Sequence, residues 1–293
     1  MLYALACILA STAIVLVFRA LRDRAISLLP VITVNYWVCV GCGLLLTPDY
    51  FSQLAAAQGG WLPLGLVQGT LFISLFFLIG WSAQRVGVAY TAVVTRVSVV
   101  FPALASVVWF GEAATLDRWV GLGLALGAVV LLHLHYFRRN RPSAGQLPVG
   151  VVLGVGAVLF VGSGATDTLF KLFDHRYADQ LAGNVFTITL FGVAGSLGLL
   201  AVAVQVLRGR ERLSWRHVGA GVALGLPNYA SILFLLLALR ELPGLVFYPL
   251  NNIGILVASS LAGVLYFREP FPVSSWVGLG LAVVAIAVLA WGR

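Results

Sequence analysis

The sequence predicts an all-α integral membrane protein of ten transmembrane helices, arranged as two inverted five-helix repeats. Three observations carry that prediction. The chain is 61% hydrophobic and only 10% charged, whereas soluble domains are about 25% charged. Apolar runs recur along it, each of the length, roughly 18 residues or more, that crosses a hydrocarbon core of about 30 Å. A shift of 157 positions lays Val86–Leu132 on Pro243–Leu289 without a gap. Gly87 then falls on Gly244, Phe110 on Phe267 and Glu112 on Glu269, and the heptapeptide WVGLGLA at Trp119–Ala125 recurs at Trp276–Ala282. A match at fixed offset over such a length marks an internal duplication, here of a two-helix unit.

Taken in order, the spans are 1–18, 28–46, 61–82, 88–109 and 116–135, then 148–170, 181–204, 217–239, 243–266 and 272–292. The length and continuity of the runs favour helices over barrel strands. No basic residue precedes the first run, so it reads as a span and not as a cleaved signal peptide. The fourth and fifth spans are the first copy of the duplicated unit, and the ninth and tenth are the second. The connections are too short for a soluble domain, the longest being about a dozen residues at Thr47–Gly60 and Tyr136–Leu147. The first repeat is therefore placed at 1–137 and the second at 148–293, with a linker at 138–147 that carries Arg138, Arg139, Arg141 and Pro142. Five spans is an odd number, so the second repeat enters the membrane in the opposite sense, an architecture typical of secondary transporters.

The formal charge of +8 does not point to nucleic acid, because the arginines sit in short inter-helix loops and report orientation instead. The odd-numbered connections hold Arg19, Arg22, Arg24, Arg85, Arg138, Arg139, Arg141, Arg208, Arg210, Arg212, Arg216 and Arg268; the even-numbered ones hold Arg118, Lys171, Arg176 and Arg240. By the positive-inside rule the odd connections are cytoplasmic and both termini face outward. Cys7, Cys39 and Cys42 lie in apolar runs with no metal spacing and read as packing residues. Gly123 and Gly127 form a small-xxx-small step, which serves either a homodimer seam or packing within the protein's own bundle.

Polar side chains inside lipid are costly, so their positions locate chemistry. Thr91, Thr95, Ser98 and Pro102 fall at i, i+4, i+7 and i+11 and share one face of the fourth helix. The 157-residue shift sends them to Tyr248, Asn252, Ile255 and Ser259 on the ninth. Two mainly polar stripes related by a pseudo-two-fold axis would face one shared central cavity. Single Thr and Ser residues in such helices also back-bond to their own carbonyls. Further amides, Asn35, Gln68, Asn228 and Asn251, lie near mid-membrane, and Pro227 and Pro249 precede polar positions. Each proline frees a carbonyl one turn earlier, and broken helices of this kind line midplane substrate sites. The competing reading of these amides is interhelical hydrogen bonding that holds the bundle.

Two charges stand out well inside spans. Arg96 sits near the centre of the fourth helix, a little over a quarter turn from the stripe. There it would hold a carboxylate or phosphate, which the guanidinium matches bidentately. Asp167 lies in GATDTLFK of the sixth helix and would hold a proton or an amine. Lys171 follows one turn later and is placed to pair with it at i, i+4. Alternatively Arg96 and Asp167 neutralise each other, or each pairs locally; the helix counts place Asp167 nearer the outer surface than Arg96, which argues against a direct pair. His133 and His135 close the fifth helix beside Arg138, at headgroup level. No nucleophile with a positioned base, metal spacing or phosphate loop can be assembled in the spans, so no metal, no cofactor and no enzymatic activity is expected.

The ends of the two repeats carry a family resemblance: VGVAYTAVVTRVSVVFPALASVVWFGE followed by RWVGLGLALGAVVLL, and PGLVFYPLNNIGILVASSLAGVLYFRE followed by SWVGLGLAVVAIAVLA. With Gly87 and Gly244 early in each copy, Glu112 and Glu269 closing the fourth and ninth helices, and Trp-x-Gly opening the next, the chain resembles the EamA-type members of the drug/metabolite transporter superfamily. Pro102 matches the family proline, and Ser259 departs from it in the second copy. The resemblance implies a bacterial inner-membrane carrier that moves small metabolites, often outward, through a central cavity. The small multidrug relatives place a proton-coupling Glu in their first helix; here the first helix has no acid, and Asp167 sits in its second-half counterpart. Ten-helix relatives keep both termini in the cytoplasm, opposite to the arginine count.

The expected function is secondary transport of a small polar metabolite, such as an amino acid or other zwitterion, by alternating access with proton exchange through Asp167. The alternative within the same fold is a flippase for a lipid-linked phosphate or sugar, with Arg96 meeting the phosphate. A non-transporting membrane subunit is a third class, against which the paired stripes argue. The expected partners are the substrate and the lipid bilayer.

Overall fold

The computed structural model describes residues 1–21, 26–56, 60–86, 88–113, 115–139, 148–179, 181–266 and 273–291. Helices and short connections make up all of the described residues. The first two spans are α1 (Leu2–Leu21) and α2 (Leu28–Leu46), and the connection after them contains a short helix, α3 (Tyr50–Ala56), which the sequence reading treated as loop. Next come α4 (Leu62–Arg85), α5 (Val88–Val97), α6 (Val100–Val108) and α7 (Leu116–Arg139). The second half contributes α8 (Val149–Tyr177), α9 (Gly183–Leu207), α10 (Trp215–Glu241), α11 (Gly244–Leu265) and α12 (Val273–Trp291). Among the described residues eight helical stretches, counting α5 with α6 as one, are long and apolar enough to cross a membrane, and α12 adds a shorter apolar stretch, Trp276–Leu289. The chain is a multi-pass helical membrane protein.

The fourth span is broken where a continuous helix was expected, and Pro102 is the cause. It has no N–H to offer the carbonyl of Ser98, and its ring crowds that carbonyl. The Ser98 oxygen accepts from Phe101 N at 2.9 Å instead, a tighter turn that separates α5 from α6 at Ser98–Val99. Pro227 and Pro249 leave α10 and α11 continuous.

The helices pack as two compact units, and each draws on both halves of the sequence. The first unit comprises residues 78–171 and 239–293 with Met1; the second comprises 2–77 and 172–238. In the first, α7, α11 and α12 share a core of Ala125, Ala128, Val129, Ile253, Leu256, Leu279, Ala282 and Ala285. Ala125 with Ala282, and Ala128 with Ala285, are the pairs that the 157-residue shift superposes, so the two copies of the duplicated helix bury equivalent positions together. Gly121 permits this approach, since a Cβ there would lie 2.6 Å from the Leu289 side chain. Gly127 faces Leu281 at 3.3 Å, whereas a Cβ at Gly123 would meet nothing within 4 Å.

In the second unit α2 packs against both α9 and α10. Cβ atoms added at Gly221 and Gly225 of α10 would lie 2.5 and 2.7 Å from Val34 and Val38, and one at Gly198 of α9 would lie 2.7 Å from Thr33. Gly221 and Gly225 thus make the small-xxx-small contact that lets backbones approach in lipid. Stacked rings fill the same unit, with Phe173 and Phe186 centroids 4.0 Å apart and Tyr36 and Phe191 centroids 5.8 Å apart.

Candidate functional site

Within the first unit a hydrogen-bonded chain joins three helices. Arg96 Nη1 on α5 donates to Asn252 Oδ1 on α11 at 2.7 Å. The Asn252 amide is held in that orientation because its Nδ2 donates to the Tyr248 carbonyl at 3.1 Å. Tyr248 Oη in turn donates to the Asp167 carbonyl on α8 at 2.6 Å. The Arg96 and Asp167 side chains are close enough to interact electrostatically. A guanidinium carries five N–H donors, and among the described residues Asn252 engages one of them. This node holds a cation, an acid and a neutral amide inside helices long enough to span a bilayer.

The hydroxyl stripe is locally satisfied. Thr91 shares a hydrogen bond with Ser82 on α4 at 2.7 Å. Thr95 donates to the carbonyls of Thr91 at 2.9 Å and Ala92 at 3.1 Å, and Ser98 donates to the Thr95 carbonyl at 2.6 Å. Asn251, beside Asn252, is buried, and its Oδ1 has no partner among the described residues. The residues of the two stripes belong to one unit, and Arg96, beside the first stripe, bonds Asn252 of the second.

A second polar node lies nearby in the same unit. Helix α11 opens on Pro243, which has no side-chain acceptor for the first free N–H groups. Glu112, in the α6–α7 connection, supplies it: Oε1 accepts from Gly244 N at 2.7 Å and Oε2 from Leu245 N at 3.0 Å. Lys171 Nζ pairs with Glu112 Oε1 at 2.9 Å, with 9% and 12% of the two side chains exposed. Burial pushes the Glu112 carboxyl up, but the N–H of Leu245, the Lys171 ammonium and the N–H of Gly244 outweigh it and hold the group below its ordinary value. Lys171 was expected to reach back one turn to Asp167; it instead meets a carboxylate that also sits at the positive end of a helix. The sequence signal for this node was the recurrence of Glu112 as Glu269, but nothing local reveals partners 132 residues away. Glu269, the 140–147 part of the linker, and the side chains of His133 and His135 lie outside the described residues.

The remaining predicted amides fall in the second unit. Asn228 Nδ2 on α10 donates to Asn35 Oδ1 on α2 at 3.1 Å. Asn35, Asn228 and Gln68 are all buried. Cys39 Sγ meets the Gly225 carbonyl at 3.4 Å and Ser231 Oγ the Asn228 carbonyl at 2.8 Å. This is a tightly satisfied interhelical contact between α2 and α10.

Taken together, the fold and the node define a polytopic helical membrane protein with a cation and an acid held inside its spans. Residues 1–134 match the EamA-like transporter family. An uncharacterized protein of Haemophilus influenzae is 29% identical over 295 residues, which cover 96% of this chain and 95% of that protein. The multidrug efflux pump Tap of Mycobacterium tuberculosis is 25% identical over 264 residues, covering 81% of this chain and 61% of the pump. Among solved structures, one crystal structure of a protein superposes with a TM-score of 0.77 at 16% identity, covering 99% of this chain and 96% of the other. At that identity the likeness shows the fold alone.

Proposed function

We propose that this transporter is a secondary carrier that exports a small polar metabolite, with a zwitterion such as an amino acid as substrate class. The observation that carries the reading is the Arg96–Asn252–Tyr248–Asp167 chain across α5, α11 and α8. A guanidinium with free donors recognises a carboxylate, and a membrane-embedded acid beside it recognises an amine or carries a proton. Similarity to a multidrug efflux pump supports outward movement, across a bacterial inner membrane, with termini outside on the arginine count.

Ten spans threaded as inverted repeats are supported by the company that helix ends keep within each unit. In the first, Tyr90 at the start of α5 donates to the Val152 carbonyl at the start of α8, while Glu112, Lys171 and Gly244 converge. In the second, Ser27 meets His217, and Tyr177 donates to the Gly60 carbonyl. With connections numbered along ten spans, every one of these contacts joins odd to odd or even to even.

The test is flux in proteoliposomes under an imposed pH gradient, with a panel of amino acids and related zwitterions. Asp167→Asn is expected to abolish gradient-driven flux while retaining counterflow exchange, and Arg96→Gln to raise KM at least tenfold. Gradient-driven flux unchanged in Asp167→Asn removes the acid from coupling, and wild-type KM in Arg96→Gln removes the carboxylate site.

A further inference from the structure

We propose that the groove between α1 and α10 binds an anionic phospholipid, with an acyl chain lying in the groove and the phosphate on Arg216. A cavity of about 740 Å³ opens there, lined by Val17, Ala20 and Leu21 of α1, by Ile26, and by Arg216, Gly219, Ala220 and Ala223 of α10. That volume lies within the range of roughly 300–1,000 Å³ found for small-molecule sites. The groove exists because α10 presents no large side chain along this face. A Cβ at Gly219 would meet nothing within 4 Å. Arg216, Gly219, Ala220 and Ala223 are spaced i, i+3, i+4 and i+7, so the guanidinium heads the same helical face that floors the groove.

The arrangement is amphipathic in the direction a phospholipid requires. Trp215, next to Arg216, is 86% exposed, and an exposed Trp at the end of a spanning helix marks the headgroup level. The first turn of α10 is fixed: Ser214 N donates to His217 Nδ1 at 3.0 Å, and His217 Nε2 meets Ser27 Oγ at 3.2 Å. Arg216 is exposed and has no carboxylate partner among the described residues. The acid of this connection, Glu211, accepts from Arg212 N at 3.1 Å and lies 4.0 Å from His217 Nε2. An apolar trough ending in a guanidinium that no described carboxylate neutralises complements a lipid that is negative at one end and apolar along its length. The arginine-rich connections place it on the leaflet where anionic lipids concentrate. The groove shares no residue with the Arg96 node, so the site stands whether or not the transport reading does.

The experiment is thermal melting of the purified chain in neutral detergent, titrated with phosphatidylglycerol, phosphatidylcholine or inorganic phosphate, together with native mass spectrometry of retained lipid. Phosphatidylglycerol is expected to raise the melting temperature saturably and to be retained in preference to phosphatidylcholine; inorganic phosphate is expected to do neither. Arg216→Gln should weaken phosphatidylglycerol about fivefold, the worth of one surface arginine. Ala223→Leu fills the trough and should abolish retention, while Arg212→Gln should behave as wild type. Equal stabilisation by phosphatidylcholine, a full shift from inorganic phosphate alone, or wild-type retention by Ala223→Leu overturns the proposal. Should either variant fail to fold, lipid preference of the wild type decides it.

Discussion

Replacing Glu112 by Gln tests whether the second node ties α6, α8 and α11 together. The carboxylate and Lys171 are 2.9 Å apart and both side chains are about nine-tenths buried. Removing one partner of a buried pair costs about 3–5 kcal/mol, because the other charge stays desolvated. Gln keeps one oxygen that can accept from Gly244 or Leu245, so only part of a capping contribution of about 0.5–2 kcal/mol is lost as well. The expected loss for Glu112→Gln is about 3 kcal/mol. Adding Lys171→Met removes the stranded ammonium, so the double variant should lose only about 1–2 kcal/mol and show a strongly non-additive cycle. Equilibrium unfolding in mixed micelles, followed by tryptophan fluorescence, measures all four states. The folded carboxyl titrates below its ordinary value. Its stabilisation is therefore complete above the unfolded value of about 4.3 and lost as pH falls through the folded one. Wild type should lose melting temperature below about pH 4.3, and the double variant should lack that component. A single-variant cost under about 1 kcal/mol, or additive single costs, would refute the coupling on which the reasoning rests.

Two further outcomes follow from the packing. Gly121→Ala sets a methyl 2.6 Å from Leu289 and should destabilise by about 1–3 kcal/mol in the same unfolding assay. Gly123→Leu, facing open space, should stay within about 0.5 kcal/mol of wild type, and its elution on size exclusion reports whether that face meets a second copy. Pro102→Ala returns an N–H to the Ser98 carbonyl and should fuse α5 with α6. Slower amide hydrogen exchange at residues 99–103 is the expected signature, and unchanged exchange rules out Pro102 as the cause of the break.

The helices were legible because lipid demands long apolar runs, and nearly every predicted span reappears within a few residues of its bounds. Helix α3 was not, since seven residues flanked by Pro48 and Gly59 carry too few turns to show a period. The break at Ser98–Val99 was half legible: Pro102 was visible, but the same residue type at positions 227 and 249 leaves its helices unbroken. Partner choice was the least legible. The local i, i+4 rule assigned Lys171 to Asp167, yet the lysine meets Glu112, because connections distant in sequence converge there. Asn35 and Asn228 stood out as buried amides, and only the packing of α2 on α10 shows that they satisfy each other.

The duplication makes the chemistry of the first unit interpretable, because each position of the repeated pair has a counterpart to compare. At the counterpart of Arg96 the second copy has Ile253, which is fully buried. That helical site therefore suits an apolar side chain, and a guanidinium there costs about 2.5–3.5 kcal/mol on insertion scales. Its 2.7 Å bond to Asn252, about 1.5–3 kcal/mol for a charged hydrogen bond, offsets that cost only in part. Asn252 is itself a departure from symmetry, since its counterpart is Thr95. Two of the places where the copies differ thus touch each other, one on α5 and one on α11. Scaffold demands alone would have kept both copies apolar at the arginine position, as they kept Ala125 with Ala282 and Ala128 with Ala285. A charge retained against that preference, and met by a polar partner in the other copy, is the feature on which the proposed substrate site rests.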